Sequence, residues 1–103
     1  MSVVTIAGVN IDVNEEGYLT DSSQWNEQIA AEIAEEEEVE LTEKHFELLK
    51  FLRQQHEDEV DITIRKVGKS GIVDIKGFYT LFPKKPLKKS SRIAGIPKPS
   101  SCI

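Results

Sequence analysis

The chain has 103 residues, 39% of them apolar and 30% charged, with a net charge of −5. That length suits one domain. No apolar run approaches the ~20 residues that span a bilayer, and the start lacks a basic region leading into an apolar one, so neither a membrane span nor a secretory signal is expected. A single cysteine, Cys102, excludes an intrachain disulfide, and an exposed reduced thiol points to a cytoplasmic protein.

In chain order, residues 3–6 and 9–13 read as a hairpin. Val9, Ile11 and Val13 alternate with Asn10 and Asp12, the period of a half-buried strand, and Ala7-Gly8 supplies the turn. Residues 14–17 turn into a short strand, Tyr18-Leu19-Thr20, which completes an expected three-stranded meander. Ser22 or Ser23 starts the first helix by accepting from orphan amides. Trp25, Ile29 and Ile33 then share a face with Ala30 and Ala34. Glu35 to Glu38 place four acids at the helix C-terminus, the wrong end for the macrodipole. They read as a solvated linker and not a metal site, because adjacent glutamates on a helix diverge and no histidine is near in sequence.

Thr42 caps the second helix, with Leu41 and Phe46 as a hydrophobic staple. His45, Leu48, Leu49 and Leu52 form its buried stripe, which runs to about Glu57. His45 and His56 lie nearly on one face, but eleven residues at ~1.5 Å each put them about 16 Å apart, too far to share a metal. His45 therefore reads as a core-edge residue. A short helix over 61–67 leads to a loop, Gly68-Lys69-Ser70-Gly71. It lacks the leading glycine and preceding strand of a phosphate loop and is a turn. Asp74 caps a last helix with Ile75, Phe78, Tyr79 and Phe82 on one face, stopped by Pro83.

From Lys84 onward no core-forming periodicity is apparent. The expected organisation is a globular domain over 1–83 and a mobile C-terminal arm over 84–103. The expected fold class is α+β, a small N-terminal antiparallel β-meander packed on a helical array. Pro97 and Pro99 favour extended geometry, so Cys102 would be carried outward on a semi-stiff arm. Charge is polarised as well: residues 1–61 hold 17 acids and 3 bases, residues 62–103 one acid and 10 bases. Lys84, Lys85, Lys88, Lys89, Arg92 and Lys98 lie near the cysteine in sequence. They could contact phosphates, dock on an acidic partner protein, or fold back on the acidic half. Partner docking and support of the Cys102 thiolate are favoured over nucleic acid. The bases lack interleaved aromatics, and the acidic half would repel phosphate.

Several segments carry a resemblance. They are Gly17-Tyr18-Leu19 with Ser22-Ser23-Gln24-Trp25; Leu41-Thr42-Glu43-Lys44-His45-Phe46 leading to Phe51-Leu52-Arg53; Ile64-Arg65; and Tyr79-Thr80-Leu81-Phe82-Pro83. The ending Ile93-Ala94-Gly95-Ile96-Pro97-Lys98-Pro99, two small residues, Cys102 and Ile103 is the most specific. In this order they resemble the DsrC/TusE family of sulfur-carrier proteins over nearly the whole chain. Two departures stand out. The stretch between Arg65 and Phe78 is several residues shorter than the family pattern, implying a trimmed helix. Members that partner dissimilatory sulfite reductase carry a second arm cysteine where this chain has Ser91.

A thiol on a chain end cannot hold the rigid triad that thiol hydrolases need, but it has the reach a carrier needs. The resemblance implies a sulfurtransferase that takes sulfane sulfur as a persulfide on Cys102, without cofactor or independent small-molecule turnover. It also implies a TusBCD-like donor and a downstream enzyme that thiolates the wobble uridine of certain tRNAs. The single arm cysteine favours that branch over a gamma-type partner of dissimilatory sulfite reductase. A helix-turn-helix DNA-binding regulator is the rival from another class.

Overall fold

The alternating apolar residues of the N-terminus form a two-stranded antiparallel hairpin, β1 (Ser2–Ile6) and β2 (Val9–Val13), with Val4 opposite Ile11 and Ile6 opposite Val9. Ala7 and Gly8 take φ of 52° and 78°, the mirror-image turn whose twist matches a hairpin. This is a computed structural model, and it describes residues 2–98. Ile6, Ile11 and Val13 are buried, and β1 packs on α1 (Glu27–Glu36).

The expected third strand is reduced to one bridge, Val13 with Leu19. The Asn14 side chain accepts from the amides of Glu16 and Tyr18 and closes a tight turn. Asp21 then accepts from the Ser23 amide and hydroxyl, holding its own carboxyl below the usual range, and starts a 3-10 turn over Ser22–Gln24. Local side-chain acceptors thus outcompete strand pairing. They also delay the first helix: Asn26, and neither serine, caps α1 through the Ile29 amide. Ile29, Ala30, Ile33 and Ala34 are its buried stripe. Trp25 lies just before it.

α2 (Glu43–Glu57) follows Thr42 and buries His45, Leu48, Leu49 and Leu52 as its spacing predicts. His45 closes its cap: Nδ1 accepts the Thr42 amide at 3.1 Å, so Nε2 carries the hydrogen and donates to the Leu81 carbonyl at 2.9 Å. The ring also meets Phe82 edge-on at 5.0 Å. One neutral imidazole therefore joins the start of α2 to the end of α4 (Ile75–Leu81). The short α3 (Ile64–Gly68) packs on α4. On α4 only Phe78 of the predicted face and Phe82 just beyond it are buried, while Ile75 and Tyr79 are exposed.

The largest correction concerns residue 84 onward, the expected mobile arm. Pro86 opens a further helix, α5 (Pro86–Ile93), at the position where a missing amide costs nothing. Leu87, Ser90, Ser91 and Ala94 recur at i, i+3, i+4 and i+7 and are all fully buried, as are Ile93 and, almost so, Ile96. Two serines in this stripe mask its amphipathic pattern. α5 contacts α1, α2 and α4, so it is the hub of the helical layer. The α+β class holds, with the folded body extending at least to Ile96.

Candidate functional site

Cys102 lies outside the described residues. What the structure places is the segment that leads to it. α5 ends in a Schellman motif: the Ile96 amide donates to the Ser91 carbonyl and the Gly95 amide to Arg92, both at 3.2 Å. Gly95 takes φ +72°, the left-handed conformation this cap requires, and it presses on Trp25. A Cβ there would stand 2.7 Å from Trp25 Cγ and 2.8 Å from Trp25 Cβ.

Trp25 and Arg53 hold the two peptides before that glycine. Trp25 Nε1 donates to the Ile93 carbonyl at 2.7 Å. The Arg53 guanidinium donates to the Ala94 carbonyl at 2.8 Å and to the Ser22 carbonyl at 3.1 Å, with its carbon 4.3 Å from the centre of the Trp25 ring. Burial lowers the Arg53 pKa, opposed by the charge of Glu57. These donors meet the last carbonyls of α5, groups no helical amide can reach, so the side chains that cap the helix also hold the root of the arm.

The six candidate docking cations separate into groups. Lys84 and Lys85 are exposed at the N-terminal end of α5, about 12 Å along the axis from its C-terminus. Lys88 and Lys89 are half-buried on the helix, and the Lys88 carbonyl accepts from the Tyr18 hydroxyl. Arg92 is engaged within the molecule: Nε donates to the Gly17 carbonyl at 3.2 Å, and its terminal nitrogens pair with Glu37 at 3.0 Å and Glu36 at 3.1 Å. Lys98 pairs with Glu16 at 3.0 Å. For Arg92 and Lys98 the fold-back on the acidic half is what occurs. The acidic run at the end of α1 is thus an anchoring site for α5 as well as a solvated stretch.

Around the point where the chain leaves the body are two hollows. One, of about 270 Å³, is lined by His56, Glu59, Asp61, Ile96 and Lys98 among others. Another, of about 450 Å³, is lined by Ser22, Arg53, Glu57, Glu59 and Ile96 among others. Among the described residues no group of three or more His, Cys, Asp or Glu could hold a metal, and no helix is long and apolar enough to cross a membrane.

Ser91 is fully buried, and its hydroxyl has no hydrogen-bond partner among the described residues. Reasoning from sequence overlooked Trp25, Arg53 and Gly95 as one cluster. Their signal was the left-handed glycine following a helix end, readable only once α5 is recognised.

The family model for "DsrC like protein" matches residues 5–103. Sulfurtransferase TusE of Photorhabdus laumondii is 38% identical, with both chains covered in full. The solution structure of Allochromatium vinosum DsrC superposes with a TM-score of 0.83 at 33% identity, over 98% of this chain and 97% of that one. The oxidised gamma-subunit of the dissimilatory sulfite reductase from Archaeoglobus fulgidus gives 0.83 at 29%, over 99% and 100%.

Proposed function

Because the chain belongs to the DsrC-like family, we propose that it relays sulfur as a persulfide on Cys102, in the manner that the name of its sulfurtransferase relative implies. The observation that carries this reading is the anchored root: two side chains and a capped helix hold residues 93–95, and the only thiol follows seven residues later. A carrier needs a fixed base from which its thiol can be presented to a partner. In the loading step the Cys102 thiolate attacks the outer sulfur of a donor persulfide. A Cys102 S–S bond forms, the donor S–S bond breaks and the donor leaves as a thiolate, with no net oxidation. In the delivery step an acceptor takes the outer sulfur and Cys102 is again a thiolate.

The donor is a TusBCD-like complex and the acceptor a tRNA wobble-uridine thiolation enzyme. Ser91 separates this from the sulfite-reductase reading, since a hydroxyl cannot close a disulfide or trisulfide with Cys102. The test is incubation with a persulfide donor followed by intact mass. One or more sulfur atoms should add, be lost on reduction, and be absent in Cys102→Ser. A sulfite-derived trisulfide on the native protein would overturn the single-thiol relay.

A further inference from the structure

We propose that β1 is an association edge at which two copies of this chain pair, antiparallel about a two-fold axis at Val4, joining their hairpins into one four-stranded sheet. Ile6 and Val9 flank the two-residue turn, so they form the hydrogen-bonded pair that closes it, and bonded pairs alternate from there: Val4 with Ile11, then Ser2 with Val13. The amides and carbonyls of Val3 and Thr5 therefore point away from β2. Among the described residues, no hydrogen bond outside the hairpin meets them. Ser2 to Thr5 are all exposed, Val3 at 62% and Val4 at 39%. Folded proteins guard such an edge with lysine, proline or a bulge. β1 has no lysine and no proline, and its register runs without a bulge.

The free groups of this edge fit a second copy of themselves. With Val4 opposite the second copy's Val4, Val3 of each copy faces Thr5 of the other, and the two pairs exchange four hydrogen bonds. Ser2 falls opposite Ile6, so all five residues, about 17 Å of strand, pair without overhang. Val4 shares the face of the buried Ile11, so the two Val4 side chains meet on the core-facing side of the joined sheet; Val3 and Thr5, both β-branched, meet on the other. Charge does not oppose this. The first thirteen residues hold one charged side chain, Asp12, in a chain that is 30% charged. Asp12 is on β2, which puts the two copies' carboxylates three strand spacings, about 14 Å, apart. Glu32 and Glu35 line a hollow with Ala7, three positions from the axis, so the two copies' pairs stand about 20 Å apart along the strands. Both separations exceed the Debye length of about 8 Å at physiological salt. With no charge to select a foreign strand, the register match is the specificity this edge offers, and it selects β1 itself. A five-residue edge is small beside the ~1,200–2,000 Å² of a stable interface, so the pairing is weak and concentration-dependent. It engages neither Trp25 nor Arg53 and does not depend on Cys102.

The test is sedimentation of the full chain at concentrations rising into the millimolar range, with reductant present so that Cys102 cannot bridge two copies. The mean mass should climb toward twice the monomer's. High salt should strengthen the effect, because each copy carries a net charge of −5. Val4→Lys and Val4→Glu each set like charges opposite each other at the axis, and each should weaken association by at least about tenfold. An equimolar mixture of the two variants should restore it, because unlike charges then face across the axis. Val3→Pro removes an amide that serves no bond within the hairpin and should also abolish pairing. It keeps the test sharp if a charge at Val4 disturbs folding, which urea midpoints report. A parent that stays monomeric, association that high salt dissolves, pairing that survives Val3→Pro, or folded V4K and V4E that stay apart when mixed overturns the proposal.

Discussion

Replacing Gly95 by alanine tests whether the cap under the arm is held by Trp25 or merely turned by its backbone. Two costs are expected. Any L side chain at φ +72° meets its own backbone, for about 1–2 kcal/mol. The new Cβ must also displace the Trp25 side chain, whose Cγ and Cβ stand 2.7 and 2.8 Å away and whose Nε1 is tied to Ile93. Overpacking of that kind costs about 1–3 kcal/mol. Gly71 isolates the first cost, because it has φ +86° and nothing within 4 Å of an added Cβ. Urea denaturation of Gly95→Ala and Gly71→Ala beside the parent should show both destabilised, Gly95→Ala by about 1–3 kcal/mol more at unchanged m-value. Equal midpoints for the two variants would refute the steric anchoring of the arm's root on Trp25.

Arg53→Lys should lose about 1.5–3 kcal/mol in thermal or urea melts, since an ammonium cannot span the Ala94 and Ser22 carbonyls while covering Trp25. His45→Leu keeps the burial but leaves the Thr42 amide and the Leu81 carbonyl unmet, and should cost about 1–3 kcal/mol, read in the same way. Ser91→Ala should be neutral or stabilise by up to about 1 kcal/mol, because it removes a buried hydroxyl without a partner. Ser91→Cys should form an intramolecular bridge to Cys102 only slowly in native buffer and quickly in mild denaturant, followed as a faster-migrating reducible monomer. The limit is burial of position 91, since a flexible ten-residue loop closes in roughly 10–100 ns.

Where apolar spacing was unbroken, the sequence was easy to read: the stripe from His45 to Leu52, the alternation from Val9 to Val13 and the Asp74 cap all fall where periodicity puts them. The misreadings have one physical source, small polar residues whose role depends on what they face. Ser90 and Ser91 are core positions without apolar side chains, so no core-forming periodicity showed from Lys84 onward and α5 was hidden. Ser22 and Ser23 read as helix caps, but Asp21 takes the local amides and Asn26 the helical ones. The family motif at the arm was legible. Its support was not, since Trp25, Arg53 and Gly95 are far apart in sequence and meet only through α5. In the basic stretch, Arg92 and Lys98 find acids in the other half of the chain, a pairing that order along the sequence does not display.

The position of α5 at the hub changes how this chain can be cut and how it must fold. Leu87, Ile93 and Ile96 fill space between elements formed from residues that precede them all, so those elements have no closed interior until α5 arrives. A fragment ending at Pro83 would remove Leu87, Ile93, Ala94 and Ile96 from the core that also holds Phe78, Phe82 and Leu48, and should collapse or aggregate instead of serving as an armless control. A cut after Lys98 leaves every described buried residue in place. Synthesis runs from the other end, so the nascent chain must carry an unfinished core until α5 has emerged. In this protein the helix that precedes the thiol in sequence is also the one that completes folding.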